Sequence, residues 1–482
     1  MYDHNYRLFP SSITVSWELS MDNQAAFLEH DAQHKLLVPA GFTNISTPIQ
    51  ELPTEILSLI FKFSAEGDTI LDVLRLEHVC SGWRHLISNS PLLWLTVPLV
   101  IDMCALPLLD LFLERTGGHP FSVNVNLDRL QANHTASPFR TTSQRWRSLT
   151  VDSEFNSHAL EFYFPCLEQS LHALEELSLQ IFLRVPHIGN MPFALKPQFN
   201  NCPRLRKMSL GIYANGRYNE PIHFPTAFPW HQLTSLSLTV FLSPANLFGI
   251  LRECSQLKEL MLKIIRRGDD EVQDTEDWMA LAKSEIITFL NLIKLAVPES
   301  DDVLLAIHCP VLEELEMWDP STSKSPMITF LSVSKPPLRS LLVEITEKMP
   351  RLSLPYLDHL VLRFSHPLVV DDFVRKHRVT ASPSQGSWIH TKEITLRIFA
   401  TIDEFFDNTL EWGDAVLDLI SMYREASEPI LEMLTLVASN SYSLTKECHL
   451  PSREAIYSST FYKELVRRCP QGLQITFEVV RL

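Results

Sequence analysis

Eighteen histidines and eight cysteines are the side chains of this 482-residue chain best suited to catalysis or metal binding. The cysteines, at 80, 104, 166, 202, 254, 309, 448 and 469, are scattered. They form no C-x-x-C and no other short metal-ligand spacing. A zinc peptidase needs two imidazoles one helical turn apart, as in H-E-x-x-H. A serine hydrolase needs the G-x-S-x-G elbow that lifts its hydroxyl out of a strained turn. Neither occurs. With only 13 Gly there is no G-x-G-x-x-G and no G-x-x-x-x-G-K-[ST], so phosphates have no backbone cradle. Asp269–Asp277 holds six carboxylates in nine residues. It lacks the alternating ligands and the turn Gly of a calcium loop, and reads as a solvated loop. Asp358 and His359 adjoin on an expected strand and could form a weak acid–base pair, but a surface imidazole explains them as well. No enzyme class gains support, and no cofactor is implied.

The charge balance excludes other classes. The chain has 41 basic and 57 acidic residues, a net charge of -16. A nucleic-acid-coating protein needs a basic footprint instead, so no nucleic-acid partner is expected. Unpaired, scattered cysteines suit a reducing compartment, cytoplasm or nucleus. The start, Met1-Tyr2-Asp3-His4, has no basic region leading into an apolar one. The most apolar stretch, Pro91 to Leu113, is interrupted by Pro98, Asp102, Pro107 and Asp110, so no membrane span is expected. The sequons at Asn44 and Asn133 are then expected to stay unmodified.

The apolar fraction, 45%, allows a sizeable core, and 73 of the residues are Leu. Residues 1–47 are polar and without period, and read as a partly ordered extension. Residues 48–97 are helical in pattern. Pro53 suits a first helical turn, where its missing N–H is not needed, and Glu55 complements the positive helix end. Ile56, Leu59, Ile60 and Phe63 make one apolar stripe, broadened by Leu57 and Phe61. Asp68 can cap a second helix carrying Leu71, Leu74 and Leu76. A third run spaces Val79, Cys80, Trp83, Leu86 and Ile87 at helical intervals, with Trp83 expected in the core. Leu93-Trp94 closes the unit after the breaker Pro91. Three short helices build a very small core, so the surplus apolar surface is expected on a partner.

The series Leu52-Pro53, Glu55-Ile56-Leu57, Ile60-Phe61, Leu74, Leu76, Val79-Cys80, Trp83-Arg84, Leu86-Ile87 and Leu93-Trp94 resembles the F-box. The resemblance covers about a tenth of the chain, and Ser64–Thr69 looks like an insert. It implies docking to a Skp-family adaptor and, through it, to a cullin–RING ubiquitin ligase. The residues it implicates are Leu52, Pro53, Glu55, Ile56, Leu57, Ile60, Phe61, Val79, Trp83, Leu86 and Trp94, acting directly or through the module's core. A plain helical hairpin without a partner is the alternative.

Beyond residue 98 the chain repeats L-x-x-L-x-L. Copies start at Leu174, Leu205, Leu233, Leu257, Leu292, Leu312, Leu338, Leu357 and Leu431, with weaker ones at Trp146 and Thr391. Helices are expected before several strands: from Ser243-Pro244, from Ser300 through Ile307, and from Ser452 to about Arg468. Cys202-Pro203, Cys309-Pro310 and Cys469-Pro470 are expected to stop a helix before a strand, with the cysteines buried and structural. Ser321–Pro337 and Ser382–Trp388 read as loops. The pattern is similar to the irregular leucine-rich repeats that follow many F-boxes, notably in mushroom-forming fungi.

The expected fold class is α/β. A small all-helical F-box, 48–97, precedes a leucine-rich-repeat-like α/β solenoid, 98–482, with a parallel sheet bent as a horseshoe. The repeat's x positions then line one sheet face and are candidates for binding a protein target. They are Arg206, Lys207, Lys258, Glu259, Glu313, Glu314, Glu316, Arg339, Asp358 and His359, with a basic zone near Arg206 and an acidic one near Glu313. Ordinary solubilising side chains would look the same. The expected function is the substrate-recognition subunit of an SCF-type ubiquitin ligase, performing no chemistry itself. A non-degradative interaction scaffold using the same two surfaces is the rival.

Overall fold

The computed structural model describes residues 49, 52–65, 70–95, 99–101, 106–126, 142–153, 171–183, 201–214, 228–240, 244–264, 280–281, 285–298, 301–318, 326–345, 357–364, 370, 391–399, 416, 418–420, 431–440, 467 and 474–481. The expectations for residues 1–47, Asp68, Ser243, Asp269–Asp277, Ser382–Trp388, Ser452 and Cys469-Pro470 lie outside these residues. The chain forms two compact units, residues 1–64 with Leu482 and residues 65–481.

Helix α1, Thr54–Ala65, is nearly all that is described of the first unit. It starts one residue after Pro53, whose carbonyl accepts the N–H groups of Ile56 and Leu57 at 3.0 and 3.1 Å. Glu55 in the first turn and Lys62 in the last both favour the helix dipole. The expected apolar stripe turns out to face outward. Leu57 and Phe61, one turn apart, are the buried pair, while Ile56, Leu59 and Phe63 are 43%, 50% and 69% exposed.

The second unit opens with α2 (Ile70–Glu77), α3 (Ser81–Ser88) and α4 (Pro91–Trp94). The buried edge of α2 is Ile70, Val73 and Glu77 rather than Leu74 and Leu76, which are half-buried. Glu77 is satisfied inside: its carboxylate accepts from Ser88 Oγ at 3.0 Å and its carbonyl from Arg84 Nε at 3.2 Å. Cys80 Sγ accepts the N–H of Trp83 and caps α3. Pro91 begins α4 instead of breaking a helix. Trp83 is only half-buried. The fully buried indole is Trp94, whose Nε1 donates to the Ile87 carbonyl at 3.0 Å.

Helix α5, Leu106–Arg115, ends at Gly117, whose φ of 55 is a conformation that costs Gly no Cβ clash. Its Phe112 meets Trp94 edge-to-face at 6.5 Å and Phe121 at 5.2 Å. Phe112 thus links α4 to Phe121 by ring contacts.

Among the described residues, fourteen parallel strands then form one sheet. They are β1 (Leu99–Ile101), β2 (Phe121–Asn126), β3 (Trp146–Ser153), β4 (Glu176–Leu183), β5 (Lys207–Ala214), β6 (Ser235–Val240), β7 (Glu259–Ile264), β9 (Lys294–Pro298), β11 (Glu314–Trp318), β12 (Ser340–Ile345), β13 (Leu357–Phe364), β14 (Thr391–Phe399), β15 (Met433–Asn440) and β16 (Gln474–Arg481). Each lies beside its predecessor in sequence, apart from β8 (Ile287–Thr288) and β10 (Ile307–His308), which pair in a small parallel sheet of their own. The three apolar positions of every described L-x-x-L-x-L copy are buried, Leu431 alone being half-buried. The alternation puts the residues between them outside.

Of the helices expected between strands, one forms within the described residues. Pro244 opens α6, Pro244–Glu253, which buries Leu247 and Leu251 as its spacing implies. The run from Ser300 is instead a 3₁₀ turn, Asp301–Ala306, and Ile307 belongs to β10. Within the expected loop Ser321–Pro337 lies α7, Pro326–Ser334. Pro326 starts it, Met327, Phe330 and Ser334 face inward, and Lys335 at φ 43 closes it.

Leu315 lies within this core and Glu314 beside it is exposed. Leu315→Ala is therefore expected to cost about 2–5 kcal/mol. Glu314→Ala should cost about 0.5 kcal/mol or less. Urea unfolding midpoints of the two variants check this contrast.

Candidate functional site

Two kinds of surface collect the residues singled out by sequence. The first kind is helical, one part on α1 of the first unit and another on the helices that open the second. On α1, Pro53, Glu55 and Ile56 are exposed, Leu52 and Ile60 are half-buried, and Leu57 and Phe61 are buried. The outward row thus consists of Ile56, Leu59 and Phe63, three members of the apolar stripe. In the second unit Val79 and Leu92 are 59% and 71% exposed, Trp83 and Leu86 half-buried, and Trp94 buried. Leu57, Phe61 and Trp94 consequently act through the core and not as contact groups. Exposed aliphatic and aromatic groups in so short a helical segment are groups that gain by being covered.

Residues 49–97 match the F-box-like family. F-box domains bind Skp-family adaptors in SCF complexes, and F-box proteins are generally adaptors rather than enzymes. The F-box-like match spans all of α1 to α4. No curated protein matches the chain. Among the described residues no helix is long and apolar enough to cross a membrane.

The second surface is the outward sheet face. Most strands begin at the second x of L-x-x-L-x-L, so Lys207, Glu259, Glu314 and His359 form one row across the strands. Glu316 belongs to the next row. Arg206, Lys258, Glu313, Arg339 and Asp358 sit one residue earlier, in a row beside the first. The backbone holds this outer row: the Glu175 carbonyl accepts the N–H groups of Arg206 and Lys207 at 2.8 and 3.0 Å. The Arg206, Thr234, Lys258, Ile293, Glu313 and Arg339 carbonyls each do the same for the following strand.

Neighbouring side chains on these rows pair with opposite sign. Lys207 Nζ lies 2.8 Å from Glu176 and Lys294 Nζ 3.1 Å from Glu314. Arg339 lies 3.7 Å from Glu313, Lys392 3.3 Å from Asp358, and His359 Nδ1 2.6 Å from Glu393. Glu316 reaches Arg363 at 3.6 Å, and Glu259 accepts from Ser235 Oγ at 3.0 Å. Hydrogen bonding and charge from Glu176 raise the Lys207 pKa, and Glu314 does the same for Lys294. Arg206 turns its guanidinium back to the Leu205 carbonyl at 3.1 Å. The expected basic and acidic zones are thus largely neutralised within the ladder. Such exposed pairs contribute about 0–1 kcal/mol each. A third outward row, Glu344, Arg363 and Arg397, escaped the sequence reading. Carrying the two-residue alternation one step past the last apolar position of each repeat would have found it.

Three of the described cysteines are closed off as nucleophiles. Cys202, Cys254 and Cys309 are buried, and burial pushes their thiols up from the ordinary 9.0 to about 12. A thiol without thiolate is unreactive. The native protein should therefore resist alkylation at these three positions at mildly alkaline pH and react there once unfolded. The unfolded chain sheds these protons near 9.0, and the native chain holds them to about 12. This contribution to stability is complete below the unfolded value and is lost as pH climbs toward the folded one. Urea midpoints of the wild type should fall with pH in that window, and replacing all three by Ala should flatten the fall.

Proposed function

We propose that this protein is the substrate-recognition subunit of an SCF-type cullin–RING ubiquitin ligase. The observation that carries the reading is the F-box-like match over residues 49–97, within which Ile56, Leu59 and Phe63 stand outward on one helix. On this reading the helical segment, about 48–97, docks a Skp-family adaptor. The parallel sheet beyond it is a leucine-rich-repeat-like solenoid that holds a protein target, and the complex works in the cytoplasm or nucleus. The repeated inward trios and sequential parallel strands support the solenoid assignment. The protein carries out no bond chemistry; it raises the local concentration of its target beside the ubiquitin-transfer machinery.

Placing charges on the outward row tests the docking surface without touching the core. Ile56→Asp combined with Phe63→Asp should abolish pull-down of the adaptor while leaving the thermal midpoint unchanged. Replacing Leu52 and Pro53 by Ala should weaken it. Trp94→Ala should act differently, unfolding the helices at a cost of about 3–5 kcal/mol. Full adaptor binding by the Asp double variant would refute the proposal. Adaptor binding with no cullin in the purified complex would favour the scaffold.

A further inference from the structure

On the outward face of β12, β13 and β14 the register places nine side chains in a grid. Its first row is Ser340, His359 and Glu393, its second Leu342, Val361 and Thr395, its third Glu344, Arg363 and Arg397. The alternate residues of these strands are buried, so all nine point away from the core. The first row is internally paired through His359 and Glu393. The second is a small aliphatic strip. The third breaks the rule of opposite neighbours that governs the rest of the ladder.

Arg363 and Arg397 are directly opposite in adjacent parallel strands, a few ångströms apart, where like charges destabilise. Arg363 is mostly covered, and its guanidinium lies 3.6 Å from Glu316 as an ion pair. Burial draws its pKa down first, Glu316 and Glu344 oppose this, and Arg397 adds to it. Arg397 is exposed, has no ion-pair partner among the described residues, and has Val437 as its register neighbour on the other side. A second like charge beside it is a cost that an incoming anion removes.

Resting on the target-binding reading above, we infer that this grid is a docking site for an acidic peptide segment of the target. A single Asp or Glu carboxylate pairs with Arg397, and a neighbouring aliphatic side chain lies on Leu342 and Val361. One available guanidinium in planar fork geometry suits one carboxylate. A doubly charged phosphate would call on both arginines, and Arg363 is already engaged by Glu316. The site is separate from the Arg206 and Lys207 zone, whose cations are turned to backbone or to Glu176.

The probe is an array of ten-residue peptides carrying Glu-Leu, with matched sets carrying Gln-Leu and phosphoserine-Leu, read with the full-length chain. Glu-Leu peptides should bind, and Arg397→Glu should weaken them by about tenfold or more. Arg397→Gln should give a smaller loss. Leu342→Asp should also weaken them, and Arg206→Glu should leave them unchanged. Adaptor pull-down and thermal midpoint should not move in any variant. Equal binding of Glu-Leu and Gln-Leu peptides, full binding by Arg397→Glu, or a strong preference for phosphoserine would each overturn the inference. Loss of adaptor binding by the wild type would instead strike the ligase reading alone, since the peptide readout stands without it.

Discussion

One backbone arrangement underlies everything else in the sheet: a carbonyl two residues ahead of the buried mid-repeat Leu that receives two N–H groups from the next strand. Glu175, Arg206, Thr234, Lys258, Ile293, Glu313 and Arg339 all serve this way. The arrangement fixes register at the very point where each strand begins. Register is what keeps the apolar trio inside, because a slip of one residue would turn every side chain to the opposite face. It also satisfies backbone groups that the buried first Leu of each repeat, such as Leu174 or Leu205, would otherwise drag out of water unpaired.

The same register stacks outward side chains in rows at roughly 4.8 Å. That spacing brings any two charges on adjacent strands within reach. The chain resolves this by alternating sign, as in Glu176 with Lys207, Lys294 with Glu314, Glu313 with Arg339 and Asp358 with Lys392. The ladder is thereby close to neutral on a protein whose net charge is -16. Such a face offers no broad field to steer a ligand. A local departure from the alternation is the Arg363–Arg397 neighbourhood.

The repeating trios were legible in sequence because three apolar positions at fixed offsets admit only one strand face to the core. The same logic reached Cys202, Cys254 and Cys309, small apolar groups at buried corners. It failed where Leu was absent: β2 buries Phe121, Val123 and Val125 in the same pattern without a leucine to advertise it. On α1 the periodicity was legible and the direction was not. Leu57 and Phe61 are as apolar as Ile56, Leu59 and Phe63, so moment alone cannot choose which set goes inside. Trp83 and Trp94 raise the same problem. Volume suggests burial for both; Trp94 is fully buried, with the Ile87 carbonyl accepting its indole N–H, and Trp83 is half-buried. Charge pairing was illegible because it depends on which strands adjoin, which no single repeat records.

The proposed receptor role, acting by proximity, would need stiffness between the docking helices and the sheet. Flexible joints dilute effective concentration, and rigid ones preserve it. Between α4 and the sheet, Trp94, Phe112 and Phe121 form a continuous aromatic line, and the Arg145 guanidinium lies 5.0 Å over the Phe121 ring. Arg145 also donates to Thr116 Oγ1 at 2.9 Å and to the His119 carbonyl at 2.9 Å, tying the end of α5 to the entry of β3. Arg115 adds a bond to the Ser88 carbonyl at 3.3 Å. These contacts join the helices after residue 70 to the first strands through packed rings and hydrogen bonds instead of a bare linker. The core of the short helices is too small to stand firmly by itself. Sharing it with β2 both stabilises those helices and fixes their direction relative to the sheet, so one set of contacts answers the folding problem and the geometric one.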